Sequence, residues 1–133
     1  MSVIECPELT IEQFESGNVD VELFDHEAHV YIGWLYVQKY ELADAIARFN
    51  DALRFLTVKL GVAGKYHVTI TWIFLLLIAE RSRTGEDWQT FIARNPDLIE
   101  DSRSTLGRYY SEKLLFSEAA RKRFVLPDQL RSA

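Results

Sequence analysis

The three histidines of this chain lie in two short, aromatic-rich segments, Phe24-Asp25-His26-Glu27-Ala28-His29 and Lys65-Tyr66-His67-Val68-Thr69-Ile70-Thr71. Imidazole titrates near neutrality and is the commonest metal ligand, so histidines gathered by a fold point to a metal, a proton relay or a polar binding pocket. His26 and His29 stand three residues apart, on one face if the segment is helical. Gly33 extends that stripe by four residues. A glycine inside a helix costs about 1 kcal/mol relative to alanine, so its place beside the pair marks the close approach of another backbone or of a ligand. His67, Thr71, Phe74 and Ile78 form a second stripe on a later helix. If the two stripes face each other, three imidazoles converge, with Glu27, Tyr31, Tyr66, Thr69 and Thr71 near enough to serve as further ligands or hydrogen-bond partners.

Three imidazoles with an open position would suit a divalent transition metal such as zinc, iron or nickel at a site of catalytic type. A structural zinc site would call for four ligands and usually cysteines. The expected metal ligands are therefore His26, His29 and His67. The expected ligand-binding set is His26, His29, Lys65, His67 and Thr71, with Lys65 available to an anionic group. His-x-x-His alone specifies less than His-Glu-x-x-His, where the glutamate has a base role. The alternative is structural: His26 caps a helix, His29 packs beside Tyr36, and His67 donates a buried hydrogen bond.

Other chemistry is set aside by composition and motif. The single Cys6 sits in an acidic arm, which raises a thiol pKa and disfavours a nucleophile. Gly61-Val62-Ala63-Gly64 lacks the Lys-Ser/Thr ending of a phosphate loop, and no Gly-x-Ser-x-Gly occurs. Trp34, Trp72 and Trp88 are expected in the core. The net charge is -5, and the chain carries no Lys or Arg before Lys39 but eight acidic residues there. Its end is basic, with Arg121, Lys122, Arg123 and Arg131 against Asp128. Both ends read as solvated surface, although an acidic arm meeting a basic end across a homo-oligomer interface is the functional counterpart. Nucleic acid is excluded as a partner by the acidic balance and the lack of a basic stripe.

The elements that must position these residues are helical. A length of 133 residues, 48% hydrophobic and 26% charged, fits one domain with its own core. The opening residues lack a signal-peptide pattern, so a cytoplasmic location is expected. The apolar run Val68 to Ala79 is too short for the roughly 20 residues of a membrane span, and no membrane partner is expected. Residues 9–16 form a short helix with Thr10 and Gln13 as a capping box. Asp25 caps a helix to about Lys39, and Leu42, Ala45, Ile46, Phe49, Leu53 and Leu56 give the clearest periodicity, over Glu41 to Leu60. Tyr66 to about Arg83 is apolar nearly all round and needs neighbours on several sides. Shorter elements follow: Trp88 to Ala93, Leu98 to about Ser104, Leu106 to Phe116 as one helix or two, and Glu118 to Arg123 capped by Ser117. Phe124-Val125-Leu126-Pro127-Asp128 is too apolar to float and should pack as an extended tail. The fold class is all-α: a compact helical bundle with three long helices and several short ones, over 1–133, with arm 1–8 and tail 124–133 extended.

Two resemblances accompany this reading. Residues 29–52 are similar to one tetratricopeptide-type helical hairpin, through Ile32-Gly33, Tyr36, Ala45, Phe49 and Ala52, with His29 in place of the first tryptophan. The repeat does not recur, and solenoids need about three units. The whole chain resembles a group of small uncharacterised bacterial all-α proteins with Phe-x-His-x-x-His, Lys-Tyr-His-x-Thr-Ile-Thr and Phe-Val-Leu-Pro-Asp segments, here Phe24 to His29, Lys65 to Thr71 and Phe124 to Asp128. That resemblance implies one shared site for the three histidines and two threonines, and no particular reaction. Two functions follow from the sequence: a histidine-lined pocket for a divalent metal or a small polar ligand, with an imidazole available as acid or base, or a non-enzymatic interaction module or homodimer with structural histidines.

Overall fold

The structure is a computed structural model that describes residues 9–20 and 24–129. The arm expected over 1–8, with Cys6, and the last four residues of the expected tail lie outside the described residues. Every regular element described is helical, and none of the helices is long and apolar enough to cross a membrane.

Local chemistry sets most of the boundaries. Thr10 and Gln13 form the expected capping box on α1 (Ile11–Ser16). The Asp25 carboxylate accepts from the Ala28 amide and starts α2 (His26–Lys39). Two residues later α3 (Leu42–Lys59) begins, with Ala45, Ile46, Phe49, Ala52, Leu53 and Leu56 buried along one face. Gly61 then adopts φ 73°, left-handed backbone that glycine enters without strain. A 3-10 turn over Ala63–Lys65 and two extended residues lead into α4 (Val68–Arg81). The sequence places this helix from Tyr66; it starts two residues later because the His67 side chain is its N-cap, accepting from the Ile70 amide.

Short links make α2, α3 and α4 run alternately up and down, so the start of α2, the end of α3 and the start of α4 meet at one end of the bundle. Beyond α4 come α5 (Trp88–Arg94), α6 (Asp97–Glu100), α7 (Ser102–Gly107), α8 (Glu112–Leu115) and α9 (Glu118–Lys122), the last capped by Ser117 as expected. The stretch Leu106 to Phe116 is divided: α7 takes in Leu106, and Arg108 to Ser111 leave the helix before α8. Residues 124–129 form no helix and are held to the body by named bonds. Thr69 Oγ1 donates to the Arg123 carbonyl at 2.8 Å and accepts from the Val125 amide at 3.2 Å. The Tyr110 hydroxyl donates to the Val125 carbonyl at 2.6 Å, and Asp128 accepts from the Ser111 amide and hydroxyl at 2.7 and 2.6 Å. Phe124 stacks on Trp72.

The core has two parts separated by α2 and α4. One is built from Ile11, Phe14, Ile32, Tyr36 and the buried face of α3, with Leu75. The other joins Val30, Trp34, Ile73, Leu77 and Ile78 to Trp88, Phe91, Ile92, Leu98, Leu106, Tyr110 and Leu115. Helices flanked by core on two sides must be apolar on two sides, which accounts for the composition of α4.

Candidate functional site

Where the three helix ends meet, the bundle leaves a cavity of about 440 Å³. His26 and His29 line it from α2, Lys65 and Tyr66 from the connection, and His67, Ile70, Thr71 and Phe74 from the start of α4. All five expected ligand-binding residues, His26, His29, Lys65, His67 and Thr71, thus border one space. The two stripes face each other across it, since Gly33 lines it beside His29, and Phe74 and Ile78 line it beyond Thr71. Gly33 is buried, and a Cβ there would come within 3.2 Å of both Ile78 Cδ1 and Leu75 Cδ2. The glycine therefore lets α2 and α4 approach closely at the inner wall.

The hydrogen bonds of each imidazole define its state. His67 Nδ1 accepts from the Ile70 amide at 3.1 Å, so it carries no proton, and Nε2 donates to the Leu115 carbonyl at 2.7 Å. Both nitrogens are engaged. His26 Nε2 donates to the Leu98 carbonyl at 2.8 Å, and its ring meets the Phe74 ring edge-on at 5.2 Å. His29 Nδ1 donates to the Asp25 carbonyl at 3.1 Å, and the ring lies 4.1 Å from that of Phe24, not beside Tyr36. Burial holds the His29 pKa below its usual value. The backbone bond to Asp25 opposes this, the charge of His26 adds to it, and the Asp25 carboxylate opposes it again. At neutral pH His29 is an uncharged imidazole whose Nε2 keeps its lone pair.

The three-imidazole metal site expected from the sequence is not the arrangement that the fold builds. Among the described residues no three His, Cys, Asp or Glu side chains are grouped to hold an ion. The physical reason is local: His67 spends both nitrogens on backbone groups, and His26 spends one on a carbonyl 72 residues away. A zinc, iron or nickel ion would have to break these bonds to gain the trio. Thr69, Tyr31 and Glu27 also fall outside the cavity lining. Thr69 is fully buried against the tail, and Tyr31 packs edge-on against Trp88. Two residues apart on α4, Thr69 and Thr71 point to opposite sides: Thr71 faces the cavity and Thr69 turns toward residues 123–125.

The rest of the wall comes from α3 and the turn after it: Phe49, Leu53, Leu56, Thr57, Leu60 and Val62. The sequence shows Phe49, Leu53 and Leu56 as an apolar stripe, a signal that is the same whether such residues face other side chains or an open space. Thr57 hydroxyl donates to the Arg54 carbonyl, Thr71 hydroxyl to the His67 carbonyl, and Tyr66 hydroxyl to the Asn50 side-chain oxygen. Burial raises the Tyr66 pKa, which keeps the phenol protonated. Arg54 and Asp51 act on this phenol in opposite senses. No family model, curated protein or solved structure matches the chain.

Proposed function

We propose that the protein binds one small, largely apolar molecule in the cavity between α2, α3 and α4. The observation that carries this reading is the convergence of both histidine segments, Lys65 and Thr71 on a single space of about 440 Å³. Ligand sites are concave, mainly apolar spaces of about 300–1,000 Å³ with a few placed polar groups. Here Phe49, Leu53, Leu56, Ile70, Phe74 and Ile78 supply the apolar wall, and the polar groups gather at the end where the helices meet. Native cores are packed to crystal-like density, so an open volume of this size beside conformationally fixed imidazoles favours a ligand over a packing role.

The test is titration with N-phenyl-1-naphthylamine, an apolar dye whose emission rises on leaving water. Wild-type protein is expected to give a saturable one-to-one signal. Leu53→Trp, which fills the cavity from α3, should abolish that signal while the far-ultraviolet circular dichroism stays helical. Non-saturable binding, or equal binding by the filled variant, overturns the reading.

A further inference from the structure

The polar groups around the cavity have already spent most of their hydrogens. Thr57 and Thr71 donate to backbone carbonyls, Tyr66 donates to Asn50, His26 and His29 each donate to a carbonyl, and His67 is engaged at both nitrogens. What is left is a set of lone pairs: Nε2 of His29 and the hydroxyl oxygens of Thr71 and Thr57. A buried acceptor gains from a ligand that donates, and gains nothing from one that only accepts. Charge narrows the choice further. Among the described residues no Asp or Glu lines the cavity, and the one charged side chain that does is Lys65. Asp25, the N-cap of α2, accepts from the Ala28 amide with Oδ1 and does not line the cavity. An ammonium head would meet a lysine and no carboxylate in the cavity lining. A carboxylate would meet Lys65 but would also face the lone pairs of uncharged imidazole and of hydroxyls that donate elsewhere.

We infer that the ligand is a neutral hydroxyl-bearing amphiphile, with its hydroxyl donating to Nε2 of His29 and its hydrocarbon body lying between α3 and α4. The inference rests on the binding role proposed above and adds the chemical class of the ligand. Its specificity comes from the spent hydrogens: apart from the Lys65 ammonium, the donors of the site are turned to protein acceptors, so the imidazole end reads a donor. The uncharged state of His29 agrees with this, since an imidazolium would donate at Nε2.

Competition against N-phenyl-1-naphthylamine tests it. Four displacers of similar length are used below their micellar concentrations at pH 7.5: decan-1-ol, 1-methoxynonane, decanoate and decylammonium. Decan-1-ol should displace the dye at a concentration at least tenfold lower than 1-methoxynonane, which has the same number of heavy atoms and no donor. It should also outcompete both charged compounds. His29→Phe, which keeps a ring against Phe24 and removes the acceptor, should bring the alcohol-to-ether ratio below about threefold; His29→Gln, which keeps an acceptor oxygen, should restore part of it. Equal displacement by alcohol and ether overturns the inference, as does a ratio unchanged in His29→Phe. Tighter displacement by decanoate, lost in Lys65→Glu, overturns it in favour of an anion held by the lysine. Failure of the dye to bind wild-type protein would instead remove the binding role itself.

Discussion

The two cores on either side of α2 and α4 are built from similar residues to opposite ends. The one toward α5–α8 is filled: Trp34, Trp88 and Phe91 lie in mutual ring contact, and Phe91, Leu98 and Tyr110 are almost wholly buried. Polar clasps close its edge, with Arg81 on Asp97 at 2.9 Å, Thr105 on Asp97 at 3.0 Å and Asn95 on the Phe91 carbonyl at 2.9 Å. Packing was favoured even over polar satisfaction, for the indole N–H groups of Trp34 and Trp88 have no acceptor among the described residues. The core toward α1 and α3 stops short of filling its space at the end where the histidines stand. Close packing and open space are thus divided between the two flanks of the same pair of helices.

The largest test of that division is truncation of each core. Phe91→Ala should cost about 3–5 kcal/mol in urea unfolding, since the filled core cannot relax around the lost ring. Leu53→Ala, beside existing open space, should cost less, about 2 kcal/mol. Equal losses would mean that the two cores are not differently packed. Next is His67, which ties the cavity end to the filled side through Leu115. His67→Ala removes a cap and leaves the Leu115 carbonyl unpaired, an expected loss of about 2–3 kcal/mol. His67→Asn should return about 1 kcal/mol by restoring the cap alone.

Overpacking sharpens the comparison from the other direction. Ile92→Phe should destabilise by about 1–3 kcal/mol, whereas Leu53→Phe, with room to enter, should stay below about 1 kcal/mol while weakening dye binding. The pH dependence of stability isolates His29. Its pKa in the fold is lowered by burial, so the unfolded chain binds more protons in the acid range. Its contribution is therefore present above the ordinary histidine value near 6.5 and is lost as pH falls through the lowered one. Urea midpoints between pH 7 and pH 5 should fall less steeply in His29→Gln than in wild type. The smallest effect belongs to Gly33→Ala. The neighbours of the added Cβ are the flexible ends of Ile78 and Leu75, both bordering the cavity and free to move into it. A gain of about 0.5 kcal/mol in stability from helix propensity is expected, with weaker dye binding as the volume shrinks.

Much of this layout is legible in the residues. Asp25 and Lys39 bracket α2, the Thr10 box starts α1, and the facing stripes of His26, His29, Gly33 and of His67, Thr71, Phe74, Ile78 border one cavity, as helical spacing implies. What local spacing does not carry is the use of each nitrogen. His26 and His67 bond carbonyls 72 and 48 residues away, contacts that exist only once α6 and α8 have been placed. Histidine is also a rare N-cap, so the pattern Tyr66-His67-Val68 gives no signal that the helix begins after His67. Thr69 and Thr71, two residues apart and so about 200° apart around the helix, take opposite sides, Thr69 meeting the tail and Thr71 the cavity. Nor does an apolar stripe on α3 distinguish a packed wall from an open one.

The bond from His67 to Leu115, with Thr69 bound to the chain at 123–125, has a consequence for biosynthesis. The cavity walls are encoded by residue 78, but the groups that fix the start of α4 against its surroundings come some tens of residues later. At about 5–20 residues/s of translation the bundle spends a few seconds with its cavity end untethered. A nascent chain would therefore have its three-helix frame complete in sequence before the contacts that tether the start of α4.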